Sequence, residues 1–166
     1  DEDWRVRKDG SRFWANVVIT ALRDRNSRLL GFCKIGRDLS ERRRQEEALR
    51  QSEERFRLLI ESVQEYAIFM LDAAGRVLSW NAGAQNITGF PAAQIIGRHF
   101  SGFYLPEDIH SGVPWQQLEA AALNGRLEVE GLRVRKDGTA FCAHVLIAPV
   151  YDSEGRLRGY SHITHD

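Results

Sequence analysis

Apolar and polar residues alternate through Phe13, Ala15, Val17 and Ile19, and again through Phe141, Ala143, Val145 and Ile147. A period of two turns one face of a strand toward a core. The likeness extends over the whole of Glu2–Asp38, which recurs without a gap as Glu130–Asp166 at an offset of 128 residues, with Arg5/Arg133, Val6/Val134, Lys8/Lys136, Asp9/Asp137, Gly10/Gly138, Phe13/Phe141, Ile19/Ile147, Gly31/Gly159 and Ile35/Ile163 in register. That spacing is one small domain, not a solenoid repeat. Asp9-Gly10 and Asp137-Gly138 stand between extended segments and predict tight hairpins. Asp152–Arg156 makes a second turn, and Asp24–Arg28 puts Ser27 where the later copy has glycine. Each copy therefore predicts three antiparallel strands.

Residues 38–63 lack Gly and Pro and are rich in strong helix formers. Asp38 is an N-cap candidate with Glu41 three places on, a capping-box spacing. Leu49, Phe56 and Val63 fall seven apart with Leu59 at the other apolar heptad position, although Arg42, Gln45 and Ser52 weaken the seam. Two readings stay open: a solvated connector whose second half packs on its own domain, and a helix that pairs with a second copy of itself. Beyond it, "AIFMLDAAGRVLSWN" predicts two short strands joined by a turn at Asp72–Gly75. Asn81 caps a short helix broken at Gly89-Phe90-Pro91, Pro91 opens another helical turn or two, and a helix over Trp115–Leu123 ends at Asn124-Gly125. The expected chain is the last three strands of a first domain over residues 1–39, a connector helix over 40–63 and a complete second domain over 64–166, cut from a longer protein. Five antiparallel strands with helices on one face make the second domain α+β. The open strand edge of the incomplete first domain is expected to be paired with another chain, covered or frayed.

Lys plus Arg and Asp plus Glu balance at 23 each, so no field of one sign draws in nucleic acid or an anionic membrane. Cys33 and Cys142 match no disulfide or metal spacing and read as reduced thiols of a cytoplasmic protein. No apolar run is long enough to span a bilayer, while a longer parent can carry membrane segments upstream.

The order of elements, with "LDAAGRVLSWNAGAQNITGF", "IIGRHFSGFYLPED", "RVRKDGTAF" and the closing "ITHD", resembles the PAS sensory domain over residues 54–166, and residues 1–39 resemble the end of a preceding one. The resemblance implies a five-stranded sheet of order 2-1-5-4-3 with short helices around a pocket on one face. Pocket candidates are Met70, Trp80, Phe100, Phe103, Tyr104, Val145, Ile147 and Ser161. It also implies a terminal motif that passes signal into the next helix, carried by Asp38, Leu39 and Ser40 and opened again by Asp166. A rigid helix starting at the last strand of one domain would carry a small shift of that strand onward. The implied function is sensory and signal-transmitting, in a bacterial-type two-component sensor histidine kinase whose output domain lies outside this chain. Alternatives are a ligand-free dimerisation module and a segment of a cyclic-dinucleotide enzyme. Expected partners are a second copy, through the connector helix or the PAS faces, and the output domain.

Candidate chemistry is sparse. His99, His110, His144, His162 and His165 form no zinc spacing, and the strand histidines read as surface groups. His110 lies in the region from which haem-binding relatives recruit an axial ligand, but its flanking Gly112 and Pro114 fit that pattern poorly. Light-oxygen-voltage relatives carry a reactive cysteine where "GRHFSGF" has Phe100, so a cysteinyl-flavin adduct cannot form. No cofactor is expected, with flavin and haem the minor alternatives. The basic ends around Arg5, Arg7, Lys8 and Arg133, Arg135, Lys136 read as a solvated rim. No nucleophile, base and orienting group assemble, and no phosphate loop is present, so no catalytic residue is assigned.

Overall fold

The computed structural model describes residues 1–166, which divide into a unit over Asp1–Phe56 and a unit over Arg57–Asp166. In the first, β1 (Glu2–Val6), β2 (Arg12–Arg23) and β3 (Leu29–Asp38) form an antiparallel sheet in chain order. Alternation along β2 places Ala15 and Val17 inward. Ser27 holds the turn after β2 at φ 63°, where the equivalent Gly155 sits at φ 76°. This left-handed region costs a side chain roughly 1 kcal/mol.

Helix α1 (Ser40–Ser62) follows one residue after β3. Its side chains are solvated and laced by Arg42–Glu46, Glu41–Arg44, Glu47–Arg50 and Arg50–Glu54 pairs. Such pairs are the ordinary support of a helix lacking a buried face. The capping box does not form: Glu41 turns to Gln45 and Arg44, and Asp38 lies two residues before the helix rather than at its cap. Leu49, Phe56 and Leu59 are more than half exposed, and Val63 lies just past the helix end.

The second unit holds β4 (Tyr66–Asp72), α2 (Ala82–Thr88), α3 (Ala92–Ile95), a 3₁₀ turn at Phe100–Phe103, α4 (Pro106–His110), α5 (Val113–Asn124), β5 (Leu127–Val134), β6 (Ala140–Tyr151) and β7 (Leu157–His165). The four strands pair antiparallel in the order β4-β7-β6-β5. This is the expected 2-1-5-4-3 arrangement without its second strand. Residues 76–80 follow β4 through a single isolated bridge, Leu71–Val77, flanked by the Leu78 N–H to Met70 C=O and Asp72 N–H to Arg76 C=O bonds, and the Ser79 hydroxyl accepts the Met70 N–H. Val77 leaves that edge to share hydrogen bonds with Arg98 and Gly97, so the ladder stops after one rung. Pro91 is the residue before α3 rather than its first.

The core lies between the inner face of this sheet and the helices: Phe69, Leu71, Ile87, Phe100, Phe103, Leu118, Val145, Ile147 and their neighbours. Ile147 is 0% exposed and the equivalent Ile19 is 62% exposed. Identical strand chemistry is buried only where helices lie over it. Gly159 is required where β7 meets β4, since a Cβ there would stand 1.9 Å from the Leu71 carbonyl oxygen.

Candidate functional site

Two places collect functional side chains. The first is a small cavity in the second unit, about 10 Å³, lined by Ala67, Phe69, Thr88, Phe103, Tyr104, Arg133, Phe141, His162 and Thr164. Strand alternation builds its floor: Ala67 and Phe69 of β4, Arg133 of β5, Phe141 of β6, and His162 and Thr164 of β7 all point inward. The 3₁₀ turn and α2 supply Phe103, Tyr104 and Thr88. Aromatic packing fixes the walls. The His162 ring stacks on Phe69 with centroids 4.4 Å apart and meets the edge of Phe100 at 5.9 Å, and Trp80 stacks on Phe103 at 5.5 Å. Such contacts hold rings in place beyond their area burial.

Two of these residues were expected on the surface and are not. Arg133 is 4% exposed, with its guanidinium 3.9 Å from the centre of the Tyr104 ring and donating to Leu132 O at 2.9 Å and Gln117 Oε1 at 3.3 Å. Tyr104 donates its hydroxyl to the same Gln117 oxygen at 2.6 Å, and burial pushes its phenol up to about 12. His162 is 3% exposed, and burial, with Arg133 adding repulsion, holds its imidazole down at about 3. The signal for both was present: Arg133 shares its strand face with Leu127 and Val129, and His162 shares its face with Tyr160 and Thr164. His144 and His165 are surface groups as expected, and His110 bonds the Pro106 carbonyl within α4.

Of the sequence-stated pocket candidates, Phe103 and Tyr104 line the cavity. Phe100 and Trp80 buttress it, and Val145 and Ile147 are fully buried core. Met70 and Ser161 are corrected: both lie on the outer face of the sheet, cross-strand from each other, and Phe69 and His162 take the inward places. The run "AIFML" is apolar at every position, so its composition does not say which parity faces in.

The second place is the end of the last strand, where the two copies repeat one device. In the first unit Arg7 forms an ion pair with Asp38, and its guanidinium lies 4.3 Å from the centre of the Phe13 ring. In the second, Arg135 pairs with Asp166 and lies 4.1 Å from Phe141. Asp38 also accepts the Ser40 N–H at 2.9 Å, and that bond leads in holding its carboxyl below the usual carboxylate range. The strand-to-helix joint is fastened to β2 through one residue: Leu39 N–H donates to Trp14 O at 2.7 Å, and Trp14 N–H donates to Ser40 Oγ at 2.8 Å. Arg43 of the first helical turns lies 4.2 Å over the Trp14 ring. The expected transmission residues Asp38, Leu39 and Ser40 thus meet at one joint, with Trp14 and Arg7 as members composition did not reveal.

Arg135 has one contact more than Arg7. It donates to the Ile87 carbonyl in α2, beside Thr88 of the cavity wall. At the other end of the unit Asn81 gathers three segments. Its Oδ1 accepts from Ile68 N at 2.9 Å and Ala84 N at 2.8 Å, and its Nδ2 donates to Val63 O and Tyr66 O at 3.0 Å and to Ile60 O at 3.3 Å. The N-cap expected of Asn81 is real, and the same side chain also ties the last turn of α1 to β4.

Comparison with known proteins agrees with this geometry. Residues 54–166 match a family described as PAS fold, and residues 1–41 match one described as PAS domain. A curated relative, "Two-component system protein A" of Emericella nidulans, is 44% identical over 113 residues, covering 68% of this chain and 16% of that protein. The chain therefore spans about a sixth of the curated relative it matches. Among solved structures, a PAS domain from Colwellia psychrerythraea is similar with TM-score 0.62 and 23% identity, covering 72% of this chain and 96% of that one. The PAS domain of an HTR-like protein from Haloarcula marismortui follows at TM-score 0.61 and 25% identity, covering 75% and 98%.

Proposed function

Because this chain belongs to the PAS family, we propose that it is the sensing and relaying segment of a two-component histidine kinase, passing a conformational change through the helices that leave its sheets. The observation that carries the reading is the duplicated joint, in which an arginine after the hairpin holds the aspartate at the end of the last strand. A displacement of the last strand would move Asp38, Leu39 and Ser40 together, and the start of α1 with them. In the second unit the bonds that Lys136 N–H and the Arg135 guanidinium donate to the Thr88 and Ile87 carbonyls join the cavity wall to the strand end. Signalling here is a choice between two packings, not a chemical step. No residue of the segment acts as a catalyst in this reading, and neither flavin nor haem is its input. The cavity volume of about 10 Å³ and Phe100 packed at 0% exposure support that last point.

The test is autophosphorylation of the kinase that contains this segment. Arg7→Ala and Asp38→Asn are expected to shift its basal activity in the same direction, the double variant adding nothing, with amide spectra of the second unit unchanged. Wild-type activity in both single variants refutes the relay.

A second reading, a dimerisation module, draws on the exposed stripe Leu49, Phe56 and Leu59 of α1. Sedimentation of Phe56→Glu separates the two: loss of a dimer with kinase regulation intact favours the structural role.

A further inference from the structure

The cavity presents hydrogen-bond donors that its walls do not match. Arg133 carries a permanent charge and is 4% exposed; Nη1 and Nη2 have carbonyl partners, and Nε–H has none. Opposite it, the Thr164 hydroxyl lies 3.2 Å from His162 Nδ1. A hydroxyl donating to Nδ1 leaves the ring proton on Nε2, and Nε2 also has no protein partner. With that tautomer, two N–H donors and one positive charge belong to residues that line a single small cavity, whose other walls are Phe69, Phe103, Tyr104 and Phe141 with Ala67, Thr88 and Thr164. A water would accept both donors but bring no negative charge, and a buried cation without an ionic partner is costly. At about 10 Å³ the space takes one occupant of about water size.

We propose that this cavity binds one small monovalent anion of halide size, held by Arg133 Nε–H and His162 Nε2–H. Sulfate, phosphate and dicarboxylates are too large for it. Thr88 connects the occupant to the strand end, since its carbonyl accepts the Lys136 N–H at 2.9 Å and the neighbouring Ile87 carbonyl accepts from Arg135. Occupancy would thus bear on the Arg135–Asp166 pair. The inference supplies an input for the proposed relay but does not rest on it.

The experiment uses the whole chain. Crystals grown in sodium bromide are examined by anomalous scattering, and the melting temperature is followed against bromide at constant ionic strength, with gluconate as the bulky counterpart. One bromide peak between Arg133 and His162 is expected, with a saturable rise in melting temperature that gluconate does not give. Ring nitrogen shifts of His162 should report the Nε2–H form. Arg133→Gln should weaken bromide binding about tenfold or more, the loss of a charged hydrogen bond. Should that variant not fold, the wild-type crystals decide. A water in the cavity of bromide-grown crystals, an Nδ1–H ring, or equal stabilisation by gluconate overturns the proposal. Failure of the relay would show in phosphorylation and leave the bromide peak in place.

Discussion

Lowering the pH is expected to weaken the second unit through one ring. His162 is held at about 3 in the folded state against an ordinary value of 6.5, chiefly by burial and secondly by Arg133. At pH 7.5 the ring is neutral whether the chain is folded or unfolded. As pH falls through 6.5 the unfolded chain takes up a proton that the folded core refuses, so stability declines. The slope approaches about 1.4 kcal/mol per pH unit and persists down toward the folded value. Between pH 7.5 and pH 5 the loss from this ring alone is about 2 kcal/mol. His99, lowered mainly by burial, acts in the same sense. The contribution of His162 is isolated by comparison with His162→Phe, whose phenyl ring fits between Phe69 and Phe100. Urea unfolding at a series of pH values, followed by amide signals of β7 in gluconate buffer, gives both curves while allowing the two units to unfold separately. The variant should gain about 2 kcal/mol on wild type from pH 7.5 to 5. Parallel curves, or a His162 ring that titrates near 6, would refute the argument.

Three further outcomes are expected. Gly159→Ala drives a Cβ into the Leu71 carbonyl and should cost about 3 kcal/mol in urea unfolding, whereas the equivalent Gly31→Ala, with nothing within 4 Å, should cost under about 1. Ser27→Gly relieves a left-handed side chain and should stabilise the first sheet by about 1 kcal/mol, read as slower amide exchange in β2 and β3. Asn81→Ala removes a helix cap and leaves the Val63 and Tyr66 carbonyls without that donor, at about 2–3 kcal/mol, with exchange rising first at the end of α1.

Much of this architecture was legible because local and global signals agreed. The duplicated alternation, the hairpin glycines and the breaker-free run before residue 63 each specify an element whatever lies around them. The second strand of the β4 hairpin was not legible, because Val77 has the residue type of a strand and the partners of a loop. Residue type also misdirected the reading of Arg133 and His162. A period of two places both inward, but a charged or titratable side chain suggests solvent, and only the packed rings around them show otherwise. Met70 failed for the opposite reason: in an unbroken apolar run either parity satisfies the hydrophobic effect, and the register with β7 decides.

Trp14 lends both of its backbone groups to the start of α1, one to Leu39 and one to Ser40. Like a keyed shaft, the helix leaves its socket at a set azimuth, and every later residue inherits it at about 100° per step. Evolution can lengthen such a rod in jumps of seven and keep Leu49 and Phe56 on one side, while a single inserted residue would swing that stripe a quarter-turn or more. The spacing tolerated between joint and stripe should therefore be quantised, a constraint on indels that no pairwise contact would reveal.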